Sequence, residues 1–152
     1  MDINMINQKV SEIEVVYRNK VRLSERCKIH RSTDCYDLLL KVWSDKIDYC
    51  EQFYILLLNR SNTVLGISKI SEGGISGTVV DPKKIFQVAL KANASNLILA
   101  HNHPSGSLKP SEADERITKK LKSAGEFLEI TVLDHLIITS EGYYSFADDG
   151  QL

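Results

Sequence analysis

The sequence has almost no net charge and no long apolar run, and each shortage excludes a class of protein. Its 152 residues include 19 basic and 20 acidic side chains, for a net charge of -1. No overall field therefore draws the chain to nucleic acid or to an anionic membrane. No stretch approaches the ~18 apolar residues of a membrane span, and the first residues lack the basic start and apolar core of a signal peptide. We expect no membrane partner.

Cysteines are few and irregularly spaced. The three, Cys27, Cys35 and Cys50, are odd in number and lack Cys-x-x-Cys spacing, which argues against a disulfide framework and against a thiolate zinc site. We therefore expect a protein of the reducing cytoplasm. With 43% hydrophobic residues, a chain of this length suits one globular domain with a sizeable core and leaves no room for a second.

Helix and strand patterns alternate along the chain. Apolar residues recur at the helical period after three start signals, at Ser32, at Asp81-Pro82 and at Ser111. Extended patterns are predicted between these helices, at 53–58, 63–70, 97–100, 130–139 and 143–146. We predict an α/β fold with a mixed β-sheet flanked by helices, in which the first two of these strands form a hairpin.

The first 31 residues are predicted to lie outside the main domain, which spans residues 32–152. Residues 11–17 alternate between polar and apolar side chains, as an edge strand does, and residues 18–31 are polar and basic. We interpret the basic stretch as a solvated connector rather than a nucleic-acid patch, because no aromatic residues interleave the charges to stack on bases.

The candidate chemistry lies in one stretch that begins with Ala-His-Asn-His-Pro-Ser-Gly at residue 100. A short apolar run before it predicts a buried strand. His101 and His103 are two residues apart, so an extended backbone points both imidazoles to one side and turns Asn102 away. The sequence therefore predicts a pair of imidazole ligands at the end of a strand.

A carboxylate is predicted to join this pair. Ser111 is a natural N-cap, which places Asp114 in the first turn of a helix that runs to about Phe127. The exposed amides of that turn keep a carboxylate ionised. Two neutral imidazoles and one carboxylate leave the fourth tetrahedral position of zinc open to water, as in a catalytic site.

The full string resembles the signature of a known family. His-x-His, seven residues, Ser, two residues and Asp is the pattern of the JAMM (JAB/MPN) metalloproteases, and His-Asn-His-Pro-Ser-Gly with Pro-Ser-x-x-Asp resembles the RadC-like branch. The resemblance covers residues 32–150 and includes four further stretches, Glu51-Gln52-Phe53, Gly77-Thr78-Val79, 81–90 and Leu133-Asp134-His135. It implies a cytidine-deaminase-like α/β arrangement and a zinc metallopeptidase or isopeptidase that acts on a peptide or protein.

Two glutamates are candidates for the general base. Glu51 begins a buried strand, where desolvation would raise the pKa of its carboxyl toward the working pH, but the residues alone favour a solvated strand-end glutamate without a catalytic role. Glu72 is the rival, although two adjacent glycines suggest a mobile loop. The resemblance favours Glu51, because the family has its catalytic glutamate at the start of a core strand upstream of His-x-His.

Ser111 and His135 each have two readings. Ser111 can cap its helix, and the matching serine of the family hydrogen-bonds the oxyanion formed at a carbonyl. His135 could be a fourth metal ligand, but its apolar strand favours a core histidine, and Asp134 is either its partner or a surface residue. The DNA-repair label attached to RadC-like proteins suggests an alternative function, a non-catalytic accessory protein at DNA. The chain lacks the basic excess that phosphate contacts need.

Overall fold

The computed structural model describes residues 11, 13–73 and 79–152. A short 3-10 helix at Leu23–Glu25 precedes the main elements. In chain order these are α1 (Ser32–Val42), β1 (Gln52–Leu58), β2 (Val64–Glu72), α2 (Pro82–Lys91), β3 (Asn96–Asn102), α3 (Glu112–Phe127), β4 (Thr131–Ile138) and β5 (Tyr143–Ser145). Among the described residues, no helix has both the length and the apolar character needed to span a bilayer.

The strands form one mixed sheet in the order β2-β1-β3-β4-β5. β3 and β4 are parallel, and the other neighbouring pairs are antiparallel. The parallel pair needs a crossover connection, which α3 provides. The predicted α/β class and mixed sheet are confirmed, as is the hairpin of β1 and β2, whose turn has Asn62 at a φ of 61°.

Helices cover both faces of the sheet. One face of β1, with Phe53, Ile55 and Leu57, packs in a core with α2 and α3. The other face, with Leu56 and Leu58, packs in a core with α1. A strand buried on both faces has apolar residues at every position, which explains the continuous apolar run of β1.

Helix α3 and strand β4 approach each other closely at Gly125. A Cβ atom built at Gly125 would overlap the backbone carbonyl oxygen of Ile130. The backbone N–H of Ile130 donates to the carbonyl of Gly125 at 2.8 Å. The absence of a side chain at this position therefore lets β4 lie against the helix that begins at the candidate site.

The strand predicted over residues 11–17 is wrong in the part that the structure describes. Residues 13–17 pair with no strand, and the side chains of Ile13 and Val15 are 87% and 71% exposed. The Tyr17 hydroxyl donates to the carbonyl of Leu65 at 3.2 Å and accepts from the side-chain amide of Asn19 at 2.8 Å. Alternation alone does not produce a strand, because a strand also needs a partner edge and a core to cover.

The basic connector is mostly exposed, as predicted, but one part of it packs on the domain. The N–H of Val64 donates to the carbonyl of Cys27 at 2.8 Å, and the N–H of Ile29 donates to the carbonyl of Asn62 at 2.9 Å. The side chain of Ile29 is buried in the core that contains α1. The expectation of a solvated connector is therefore wrong at Ile29, whereas Cys27 and Lys28 are exposed. Predictions for residues 1–10, for Glu12 and for Gly77-Thr78 lie outside the described residues.

Candidate metal centre

Three polar side chains converge where the end of β3 meets the start of α3. His101 Nε2 lies 3.1 Å from Asp114 Oδ1, and His103 Nε2 lies 3.3 Å from Asp114 Oδ2. The two Nε2 atoms are 3.0 Å apart. Each residue therefore presents one ligand atom to a common point. The structure brings together the three side chains that the sequence predicts as ligands.

The extended backbone continues past β3 and directs both imidazoles to the same side. The N–H of His103 donates to the carbonyl of Ile138 on β4 at 3.1 Å, so the alternation of side chains persists from His101 through His103. The Nδ1 atom of His103 lies 2.8 Å from the carbonyl oxygen of Ser107. Because a carbonyl only accepts, His103 Nδ1 holds the hydrogen and Nε2 faces Asp114.

A capping box fixes the Asp114 carboxylate at the start of α3. The Ser111 hydroxyl oxygen accepts from the N–H of Asp114 at 3.1 Å, and Asp114 Oδ2 accepts from the N–H of Ser111 at 2.7 Å. Burial acts to raise the pKa of the Asp114 carboxyl, but the adjacent imidazoles of His101 and His103 and the hydrogen bond from the Ser111 backbone hold that pKa well below its usual range. The adjacent Asp114 carboxylate in turn raises the pKa of His103.

The donor set fits a zinc ion. Ligand atoms ~2.1 Å from a tetrahedral zinc lie about 3.4 Å from one another. The two Nε2 atoms are 3.0 Å apart, and each lies close to a different oxygen of the Asp114 carboxylate, 3.1 Å from Oδ1 for His101 and 3.3 Å from Oδ2 for His103. Two imidazole nitrogens and one carboxylate oxygen also match the ligand types that zinc prefers. A small outward movement of the side chains would accommodate the ion.

The sheet register places Glu51 beside this cluster. Phe53 on β1 lies opposite His101 on β3 in the antiparallel pair. Continuing that register by two residues places Glu51 opposite His103, on the same face of the sheet. Glu51 is half-buried. Burial raises the pKa of its carboxyl, and the nearby His101 and His103 partly offset this rise.

Glu72 is occupied by other groups. Its carboxylate accepts from Lys46 Nζ at 2.6 Å, from Lys69 Nζ at 2.8 Å and from Gln52 Nε2 at 2.9 Å. These hydrogen bonds lower the pKa of Glu72 to about 2, which makes it a poor proton acceptor near neutral pH. The expectation of a mobile loop at Glu72 is wrong, because Glu72 is the last residue of β2.

Comparison with known proteins agrees with this geometry. The family model described as "RadC-like JAB domain" matches residues 29–151. The chain belongs to the RadC-like JAB family. A UPF0758 protein of Flavobacterium johnsoniae is 48% identical over 123 residues, which are 81% of this chain and 53% of that protein.

Two further relatives show the same partial coverage. UPF0758 protein STH371 of Symbiobacterium thermophilum is 44% identical over 67% of this chain and 44% of its own length. A UPF0758 protein of Finegoldia magna is 37% identical over 79% of this chain and 57% of its own length. The chain thus spans about half the length of the curated relatives it matches.

Asn102 anchors the segment that leads to Glu51 in this RadC-like domain. Its side-chain oxygen accepts from the N–H of Gln52 at 2.7 Å. Its amide nitrogen donates to the carbonyl of Cys50 at 2.8 Å and to that of Ile47 at 2.7 Å. Asn102 therefore holds the peptide groups on both sides of Glu51. The sequence predicts only that Asn102 turns away from the histidines, since its partners lie about 50 residues earlier.

His135 lies behind His101 and is not a fourth member of the ligand cluster. Its Nε2 atom is 2.7 Å from His101 Nδ1, and its Nδ1 atom is 2.6 Å from Thr118 Oγ1. Asp134 does not contact this imidazole. Its carboxylate instead accepts from the N–H of His135, from the Ser145 hydroxyl and from a backbone N–H of the C-terminal segment. The expectation of a core histidine is thus correct, but Asp134 is neither the partner of its imidazole nor a surface residue, since its side chain is buried.

Proposed function

We propose that this RadC-like domain is a zinc-dependent hydrolase that cleaves a peptide or isopeptide bond. The observation that supports this proposal most strongly is the convergence of His101 Nε2, His103 Nε2 and the Asp114 carboxylate, in which the nitrogens are 3.0 Å apart and each lies 3.1 to 3.3 Å from a carboxylate oxygen. The JAMM resemblance supports the class of bond. The substrate that we propose is a peptide or protein.

The roles follow from what each residue can do. Zinc held by His101, His103 and Asp114 would polarise a carbonyl and lower the pKa of water. Glu51, with a raised pKa and a place beside the histidines, accepts a proton from the attacking water and returns it to the leaving nitrogen. In the capping box the Ser111 hydroxyl oxygen accepts a hydrogen bond, and its own hydrogen is not used. This hydrogen can be donated to the oxyanion.

We also propose that the domain acts in the reducing cytoplasm. Cys27, Cys35 and Cys50 are all unpaired in the structure, the state that a reducing compartment maintains. Burial raises the pKa of the Cys35 thiol to about 12, so this cysteine is a packing residue rather than a nucleophile.

Metal removal tests the proposed reaction. Fluorogenic peptides and a peptide linked through a lysine Nε isopeptide bond are incubated with the protein before and after dialysis against a chelator. We expect cleavage of one bond class, loss of that cleavage after dialysis, and recovery with about one equivalent of zinc but not of magnesium.

A ligand variant provides the control for this experiment. Asp114→Asn keeps the shape of the side chain but removes its charge, so zinc should not restore its activity. Cleavage that survives complete metal removal, or the absence of cleavage in zinc-loaded protein across both bond classes, would contradict the proposal.

A further inference from the structure

A buried chain of hydrogen bonds connects the backbone of α3 to His101. Thr118 Oγ1 lies 2.6 Å from the carbonyl oxygen of Asp114 and 2.6 Å from His135 Nδ1. His135 Nε2 then lies 2.7 Å from His101 Nδ1. The side chains of Thr118, His135 and His101 are all buried. The chain of atoms therefore reaches the nitrogen of His101 that faces away from the ligand cluster.

The first two bonds have a single possible direction. The Thr118 hydroxyl has one hydrogen, and the carbonyl of Asp114 can only accept, so this hydrogen lies between them. The oxygen of Thr118 then has only lone pairs to offer His135. The Nδ1 atom of His135 must therefore hold a hydrogen and donate it to Thr118.

The surroundings of His135 settle the third bond. The imidazole is fully buried and lies between Phe146, stacked at 5.0 Å between ring centroids, and Phe53, tilted at 5.5 Å. This position gives His135 Nε2 one polar partner, His101 Nδ1, while Nε2 of His101 faces Asp114. A neutral His135 with its hydrogen on Nδ1 has a lone pair on Nε2, which accepts from Nδ1–H of His101.

We propose that Thr118 and His135 are positioning residues that keep a hydrogen on His101 Nδ1 and so hold His101 Nε2 as the metal-binding nitrogen. The expected effect on zinc affinity rests on the proposed function. The position of the hydrogen on His101 does not, because it is a property of the metal-free protein. His103 is oriented separately by the carbonyl of Ser107. Loss of the buried hydrogen bonds through Thr118 and His135 therefore affects His101 but not His103. Partners behind a ligating histidine fix its orientation and raise its basicity.

Two substitutions of Thr118 separate the hydroxyl from the packing. Thr118→Ser keeps the hydroxyl, whereas Thr118→Val keeps the branched shape and removes it. We expect Thr118→Val to lower zinc affinity by ~10- to 100-fold and Thr118→Ser to remain within a few-fold of wild type. Zinc affinity is measured by competition with a chromogenic chelator, and folding is checked by the dispersion of the backbone NMR spectrum.

A second readout does not involve metal. Long-range ¹H–¹⁵N NMR of the metal-free protein reports which imidazole nitrogens hold hydrogen. In wild type and Thr118→Ser we expect hydrogen on Nδ1 of both His101 and His135 and none on Nε2 of His135. In Thr118→Val we expect the hydrogen of His135 to be distributed between Nδ1 and Nε2, because Nδ1 no longer has an acceptor.

A pair of His135 variants provides an independent test should Thr118→Val fail to fold. His135→Gln has an amide oxygen that can accept from His101 Nδ1, and His135→Phe has no acceptor. We expect the zinc affinity of His135→Gln to stay within a few-fold of wild type and that of His135→Phe to fall by ~10-fold or more.

The outcomes distinguish this proposal from the proposed function. Wild-type protein that binds no zinc would overturn the function, while the NMR measurement would still decide the position of the hydrogen. Hydrogen on His135 Nε2 with none on His101 Nδ1, or equal zinc affinity in wild type, Thr118→Val and His135→Phe, would overturn the role of the buried chain.

Discussion

Glu51→Gln is expected to lower the rate of hydrolysis by about 10²- to 10⁴-fold, the usual contribution of a general base, while zinc stays bound. Glutamine has the size and planar shape of glutamate, but its amide cannot accept a proton from water. The three candidate ligands, His101, His103 and Asp114, lie on other elements. The measurement is kcat for the zinc-loaded variant, together with its metal content.

Glu72→Gln is the matched control for this variant. It makes the same chemical change at a glutamate that forms ion pairs with Lys46 and Lys69. We therefore expect near-wild-type turnover. Full activity in Glu51→Gln together with an inactive, folded Glu72→Gln would show that the assignment of the base is wrong.

The raised pKa of Glu51 also predicts the acid limb of the pH profile. A base works only as the carboxylate, and burial favours the protonated form of Glu51. Activity should therefore fall, as the pH decreases, at a higher pH than an ordinary glutamate would give. This limb should be absent from the residual activity of Glu51→Gln.

Ser111→Ala is expected to lower turnover by ~100-fold or more and to reduce the free energy of unfolding by ~1 kcal/mol. The first loss reflects the missing donor to the oxyanion. The second reflects the missing cap, since Ser111 Oγ accepts from the N–H of Asp114 at 3.1 Å. Turnover is measured with excess zinc, and stability is measured by urea unfolding of the metal-free protein.

Ser111→Asp and Ser111→Asn separate these two roles. Both residues are good N-caps, so both variants should keep the stability of wild type. Asparagine can donate a hydrogen bond, whereas aspartate places a negative charge where the oxyanion develops. We expect Ser111→Asp to be the less active of the two. Near-wild-type turnover in Ser111→Asp would show that Ser111 is only a cap.

The parts of the site that were predictable depend on local rules. The alternation of side chains along an extended chain was enough to place His101 and His103 on one side. The capping signal at Ser111 was enough to place Asp114 in the first turn of α3. Both rules concern residues within a few positions of one another, and the structure agrees with each.

The parts that were not predictable depend on residues far apart in the chain. Asn102 holds the segment around Glu51 through partners about 50 residues earlier, and Lys46 reaches Glu72 across 26 positions. Thr118 offered one local signal, because it lies one helical turn after Asp114 and so faces the same way. The role of Thr118 could not be predicted from the sequence, because it depends on β4 placing His135 against the Thr118 hydroxyl.

The stoichiometry and affinity of zinc binding by the purified protein test the central claim most directly. Wild type and the double variant His101→Ala, His103→Ala are titrated with zinc in competition with a chromogenic chelator, and His30→Ala, which removes an exposed histidine, serves as the control. We expect about one equivalent of tightly bound zinc in wild type and in His30→Ala, and none in the double variant. Equal binding by the double variant and wild type, or no binding by wild type, would contradict the assignment of His101, His103 and Asp114 as a zinc site.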